Sequence, residues 1–481
     1  MQAQFIRSLF FLILLNLLIK PFWLLGVDRT VQNLAGTAEY GMYAVLFNLS
    51  LYLQIFLDPG LHTYNNTLLA RHPAKLSAQL SRYVPLKIGL SAVYFLLTLV
   101  LGFAFGYQGK HFLLLVYMAL MQISASFLLY MRSNLAGLML LNTDSVFSVL
   151  DRALTILLCV TLFFYGFGED DMLFTFVYVQ LFCTVFAAVA AAIIVFRKAK
   201  FFKPQVKLAS FYKVLKHTYP FALLAILMTL YSRIDILMIE QFLPDGAYQA
   251  GVYASAYRLL DAANMIAFLF AGILLPVFAS QLHNKHEIEK TATVSYRLLW
   301  LPGLLLVLGS FFYRTQIMHL LYTEATAFSA EVFGFIMPTF LALCTVYIYG
   351  TLLTANHNIK FLNIAAALSL AGNVALNIFL IPIYGALGAV WATLLTQILV
   401  ACLQYIYAHR VFGMQLWSAK HFPAMVYMAA AVLSFYFMHN LLANWYVNLL
   451  LLTLANLTFA IGLGLLKPSF FINILKSNKL K

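Results

Sequence analysis

The chain has 481 residues, 63% of them hydrophobic and only 10% charged, with a mean hydropathy of +0.89 and a formal net charge of +14. That balance excludes a soluble globular domain and a disordered chain, and leaves a polytopic membrane protein. The positive charge does not point to nucleic acid, because the basic residues are dispersed over short segments between apolar runs, where anionic headgroups are their neighbours.

About fourteen runs reach the roughly 20 residues needed to cross hydrocarbon. They cover 5–27, 38–57 with a continuation to 68, 84–107, 111–138, 146–165, 172–196, 217–243, 249–278, 294–312, 329–353, 361–381, 386–408, 422–440 and 446–466. Helices are expected throughout, because lipid offers no partner for a backbone N–H or C=O and the runs are too uniformly apolar for barrel strands.

The first run, in "FIRSLFFLILLNLLIK", starts like a signal peptide but lacks a small-residue cleavage site, so it is expected to stay as an uncleaved helix carrying Lys20 just before Pro21. In the second, Gln54, Asp58, His62 and Asn66 recur every fourth residue beside Asn65, a polar stripe predicted to break at Pro59 and Gly60. The fifth brings adjacent Asp151 and Arg152. After the sixth comes the most basic stretch, 197–217, predicted as a linker with a surface amphipathic helix presenting Phe201, Val206, Leu208, Phe211 and Leu215 to the interface. The seventh holds Arg233 and Glu240 on one face and Asp235 almost opposite, and the eighth holds Arg258 and Asp261 three residues apart. The last two runs carry few polar residues and read as an appended pair before a basic tail.

Orientation follows from Lys and Arg. One set of connections holds Arg7, Arg71, Lys75, Arg82, Lys87, Arg132, seven basic residues between Arg197 and Lys216, Lys285, Lys290, Arg297, Lys360, Arg410, Lys420 and the tail lysines. The other set holds Arg29, Lys110 and Arg314, with the acidic "GEDD" at Gly168 to Asp171. The positive-inside rule then places both termini in the cytoplasm.

A repeat divides the chain. "GTAEYGMY" at Gly36 to Tyr43 and "GAYQAGVY" at Gly246 to Tyr253 match at an offset of 210 residues, each at the start of an even-numbered span. An even number of intervening spans relates the copies by an axis along the membrane normal. The expected organisation is an N-lobe (1–198), a linker (199–216), a C-lobe (217–410), the extra helix pair (421–466) and the tail (467–481).

A charge at the bilayer centre costs about 2.5–3.5 kcal/mol on insertion scales, so these residues should face protein or water. Two uses compete: salt bridges that fix packing, the plain reading of Asp151 with Arg152 and Arg258 with Asp261, and a wet functional cavity, favoured for Lys20, Arg233 and the Asp58 stripe. Rings of like residues expected of a channel are absent, as is any nucleophile–base set, so neither a pore nor an enzyme is expected. Cys159, Cys183, Cys344 and Cys402 lie within spans without metal spacing and read as packing residues. No metal or cofactor is expected.

Four segments carry a family resemblance: "FLDPGLHTYNNTLLAR" at Phe56 to Arg71, "LLNTDSVFSVLDRALTILL" at Leu140 to Leu158, "GVYASAYRLLDAANMIAFLFAGILLPVFAS" at Gly251 to Ser280, and "NIFLIPIYGALGAVWATLLTQ" at Asn377 to Gln397. They resemble the polysaccharide-biosynthesis (O-antigen type) flippases, within the superfamily that also holds lipid II flippases and multidrug extruders. The resemblance implies two six-helix lobes about a central cavity, a bacterial inner-membrane location, and flipping of an undecaprenyl-diphosphate-linked oligosaccharide to the periplasmic leaflet, with a polysaccharide polymerase as candidate partner. Lys20, Arg152, Arg233 and Arg258 are then the candidates for the diphosphate. Asp58, His62, Asn66, Asp235, Glu240 and Asp261 are cavity polar or coupling candidates. Asp58, Asp151, Asp235, Glu240 and Asp261 nearly balance the cations, a departure from the cationic cavity of the family, which keeps an H⁺- or Na⁺-coupled exporter of the same fold as the rival expectation.

Overall fold

A computed structural model describes residues 15–165, 172–205, 208–415 and 422–465, Leu17 excepted. The described residues are mostly helical and form two compact units, one up to Ala254 and one from Ser255. Eleven helical stretches among them are long and apolar enough to span a membrane. The other three predicted spans are Phe422–Met438, which is apolar but shorter, the broken second span, and the first span, of which the early part lies outside the described residues.

In the first unit the chain passes Lys20 and Pro21 into a π-helical turn, Trp23–Asp28, and then α1 (Arg29–Ala35). Proline removes a rung of the helical ladder, and a π-turn is one way for the neighbouring carbonyls to find new donors. The second span is α2 (Thr37–Tyr52), α3 (Gln54–Leu57) and α4 (Leu61–Arg71), broken where expected: Gly60 takes a left-handed φ of 92°, which Pro59 and other L-residues resist. Next come α5 (Leu76–Ala104), α6 (Gly109–Gly137), α7 (Leu141–Phe147), α8 (Leu150–Tyr165) and α9 (Met172–Lys198). Small residues Ala187, Ala188 and Ala191 of α9 pack in one apolar cluster with Leu128 and Leu135 of α6, the close helix approach that small side chains permit in lipid.

The basic linker departs from its prediction. Among the described residues no separate surface helix forms between Phe201 and Leu215; Lys200–Gln205 lie along α5, and α10 (Leu208–Phe242) runs from the linker straight through the seventh span. Val206 lies outside the described residues. Two serines one turn apart on α5 cause the difference. Ser77 Oγ accepts the Lys200 N–H (2.8 Å), Ser81 Oγ accepts the Lys203 N–H (2.9 Å), and the Ser81 carbonyl accepts the Gln205 N–H (2.8 Å). Backbone donors satisfied in this way have no need of a helix.

α11 (Gly246–Gln281) starts in the first unit and continues into the second. The second unit contains α12 (Lys285–Phe312), α13 (Arg314–Leu321), α14 (Ala327–Ile336), α15 (Thr339–Ala355), α16 (Ile359–Tyr384) and α17 (Ala386–Phe412). Ser369, Asn373 and Asn377, four residues apart and fully buried, make a polar face on α16, and Thr393, Thr396 and Gln397 of α17 are buried in turn. The C-terminal pair, α18 (Phe422–Met438) and α19 (Trp445–Gly462), packs on α12 through Leu301, Leu305, Leu308, Tyr427, Phe435 and Leu452. The pair is tied by Asn456 Nδ2, which donates to Ser434 Oγ (2.9 Å). Three cysteines are buried as expected; Cys402 is exposed on α17 instead.

Candidate functional site

The glycine repeat meets itself. A Cβ on Gly41 would fall onto the carbonyl oxygen of Ala247, and a Cβ on Gly251 would fall onto that of Thr37. Residues 37 and 41 become 247 and 251 at the offset of 210, so the two contacts are reciprocal, as a local two-fold requires. Glycine is the side chain that lets α2 and the first turns of α11 touch backbone to backbone. Gln32 Nε2 adds a hydrogen bond to the Gly251 carbonyl (3.4 Å).

Around this crossing each repeat buries one aspartate against a tyrosine. Tyr40 donates to Asp28 Oδ2 (2.7 Å) and Tyr253 donates to Asp235 Oδ2 (2.9 Å), with both carboxylates almost free of solvent. Asp28 escaped the sequence reading because it ends an apolar run, and the repeat gives no signal for it: eight residues before Gly246 stands Met238. Arg233, half-buried, donates from Nη1 to Asn48 Oδ1 (3.4 Å), and its backbone carbonyl accepts from the Tyr52 hydroxyl (2.7 Å). Glu240 accepts from the Tyr107 hydroxyl (2.8 Å) and from Gln241 Nε2 (2.6 Å). Burial and the Glu240 charge push the Tyr107 hydroxyl above its ordinary pKa, so it stays a donor at neutral pH.

The Asp58 stripe resolves into separate parts. Asp58 accepts from Lys87 Nζ at 3.1 Å and from the His62 N–H at 3.2 Å, with His62 Nδ1 also 3.2 Å away. Lys87 is fully buried on α5 and also donates to the Leu57 carbonyl (3.2 Å) and Ser126 Oγ (2.7 Å). Its assignment to the basic connections is therefore corrected: it sits inside the span Pro73–Ala104. Asn65, buried, donates to Ser133 Oγ (3.0 Å) and Asn134 Oδ1 (3.1 Å) on α6, whereas Asn66 is exposed.

A second correction concerns Arg132. It too was counted with the connections, yet it is half-buried on α6 and donates from Nε to Asp144 Oδ1 of α7 (2.8 Å). Lys20 lies close enough to Arg132, Arg152 and Asp151 to feel their charges. Arg152 sits 3.7 Å from Asp151 Oδ2, donates from Nη1 to Gln180 Oε1 (3.3 Å) and stacks its guanidinium 4.9 Å above the Trp23 ring. Gln180 Nε2 in turn donates to the Tyr43 hydroxyl (3.3 Å). Among the described residues, three cations (Lys20, Arg132 and Arg152) thus gather with two carboxylates (Asp144 and Asp151) from the first span, α6, α7 and α8, one positive charge more than negative. Both misplaced residues lay inside predicted spans; counting cations near span ends as loop charges hid them. In the second unit Arg258 and Asp261 are half-buried on α11.

The arrangement can hold an anion, and no group of three or more His, Cys, Asp or Glu suited to a metal ion occurs among the described residues. Comparison with known proteins gives a family and a fold. The family model "Polysaccharide biosynthesis protein" matches residues 5–283. No curated protein sequence matches the chain significantly. Among solved structures it is similar to the lipid II flippase MurJ in an inward closed conformation, with a TM-score of 0.68 at 15% identity, covering 95% of this chain and 98% of that one. It is also similar to an inward-facing multidrug resistance MATE transporter of the MOP superfamily, with a TM-score of 0.62 at 14% identity over 82% and 98% of the two chains. A MOP superfamily transporter from Pyrococcus furiosus gives 0.59 at 14% identity over 85% and 96%. The chain therefore belongs to the polysaccharide biosynthesis protein family and is a multi-pass membrane protein whose fold is similar to that of the solved lipid II flippase and MATE structures.

Proposed function

We propose that the protein flips an undecaprenyl-diphosphate-linked oligosaccharide across the bacterial inner membrane by alternating access, as a step in O-antigen-type polysaccharide synthesis. The observation that carries this reading is the cluster of Lys20, Arg132 and Arg152. A diphosphate needs cations held away from bulk water, and a guanidinium oriented by Gln180 and by the Trp23 face presents its fork for bidentate phosphate contact. Arg132 joins the candidates named from sequence. Arg233 and Arg258 are retained on their chemistry, for the phosphate or the first sugar.

The lobes are taken as 1–198 and 217–410, with the helix pair and basic tail appended and both termini cytoplasmic. Asp235, Glu240 and Asp261 are kept for ion coupling. Asp58 and His62 are assigned to holding the break in the second span, and Asn66 to its exposed face.

Arg152→Ala removes a charge-assisted contact worth about 1.5–3 kcal/mol, so substrate affinity should fall roughly 10- to 100-fold. The test compares Arg152→Ala, Lys20→Ala and Arg233→Ala with wild type at matched membrane levels, measuring isoprenoid-linked glycan on each leaflet. Glycan should accumulate on the cytoplasmic leaflet in the Arg152 and Lys20 variants. Normal delivery in both would remove the cluster from the mechanism. A deletion strain that stores no lipid-linked sugar but retains a drug would establish the exporter instead.

A further inference from the structure

A cleft of about 260 Å³ opens at one end of the first unit. Pro73, Ser77, Leu138, Leu140, Lys198 and Lys200 are among its lining residues. Spans Pro73–Ala104, Gly109–Gly137 and Met172–Lys198 all end here, so the cleft lies where apolar helix gives way to water. Among the described residues that line it there is no carboxylate to offset the two lysines.

Its walls are fixed. Ser77, itself buried, accepts the Lys200 N–H at 2.8 Å, which holds the linker backbone against α5. Phe202 packs edge-on against Phe196 of α9 with ring centroids 5.2 Å apart. Beside the cleft, Met139 is 62% exposed, Phe201 51% and Phe202 40%. Apolar side chains that large, exposed at a span end, sit comfortably among acyl chains, while the lysine stems keep their charged heads at headgroup level.

We propose that this cleft is a binding site for an anionic phospholipid of the leaflet it faces. The lipid phosphate lies between Lys198 and Lys200, its glycerol fills the Pro73–Leu138–Leu140 wall, and its acyl chains run past Met139, Phe201 and Phe202. The cleft shares no lining residue with the Lys20–Arg132–Arg152 cluster, and lipid binding there does not depend on what the protein transports.

The test uses the detergent-purified full chain, with short-chain phosphatidylglycerol, short-chain phosphatidylcholine and inorganic phosphate as separate probes, read by native mass spectrometry and thermal shift. Wild type should retain phosphatidylglycerol and discriminate against the other two. Each lysine near a headgroup contributes about fivefold, so K198Q/K200Q should weaken phosphatidylglycerol binding about 25-fold. K290Q/K360Q removes the same charge from the second unit and should change little. Equal weakening in both double variants means diffuse attraction and overturns the site. Inorganic phosphate bound as well as the lipid overturns the choice of ligand.

Discussion

Lys87→Met should unfold the first unit at a markedly lower temperature than wild type, because it strands the Asp58 carboxylate inside the bundle. The Lys87 ammonium is fully buried and the Asp58 side chain is 7% exposed. Their pairing offsets two desolvation costs that neither residue could bear alone; removing one partner of a buried pair costs about 3–5 kcal/mol. Lys87 does more than neutralise. It also serves the Leu57 carbonyl, freed where the second span breaks, and Ser126 on α6, so one ammonium joins α5, α6 and the break. Replacing both members, as Lys87→Met with Asp58→Asn, removes the stranded charge and keeps an acceptor for the His62 N–H. The double variant should therefore be more stable than Lys87→Met alone, although the Leu57 carbonyl still lacks its donor. Thermal unfolding followed by size-exclusion chromatography in detergent measures both. An unchanged midpoint in the single variant would mean that the ammonium is hydrated and the pair contributes little.

The second large effect is expected at the glycine crossing. Gly251→Val places branched side-chain carbons where the Thr37 carbonyl now sits, and Gly41→Val does the same against Ala247. Overpacking where side chains can move aside costs about 1–3 kcal/mol. Here the obstacle is backbone, so the helices themselves must separate. The state with α2 and α11 in contact should be lost, and with it any transport cycle that passes through that state. Gly41→Ala and Gly251→Ala should give weaker forms of the same defect, similar to each other because the contacts are reciprocal. The readout is glycan delivery at matched protein level. Full activity of Gly251→Val would show that the crossing is not visited during turnover.

Helices, spans and the presence of buried charge were legible in the chain because each is a local property. Hydropathy is summed residue by residue along a run, and Pro59 with Gly60 breaks a helix whatever lies beside it. The repeat was legible for a related reason. Two glycines and a tyrosine at one separation mark positions where bulk is excluded, although not what excludes it. The surface helix expected after Lys200 failed because the competing donors and acceptors, Ser77 and Ser81, lie more than 120 residues earlier.

Pairing of the charges was not legible. From sequence, Lys87 and Arg132 were cations near span ends, while Asp58 and Lys20 looked equally available inside the membrane. Packing separated them: α5 turns Lys87 onto the break beside Asp58, whereas α6 and α8 carry Arg132 and Arg152 towards Lys20. Composition sets the cost of burying an ion, so a single sequence determines that such ions are few and must be satisfied. Which ion satisfies which is decided by the rotation and register of helices brought together in three dimensions, and those are set by contacts such as Gly41 with Ala247 that join residues two hundred positions apart.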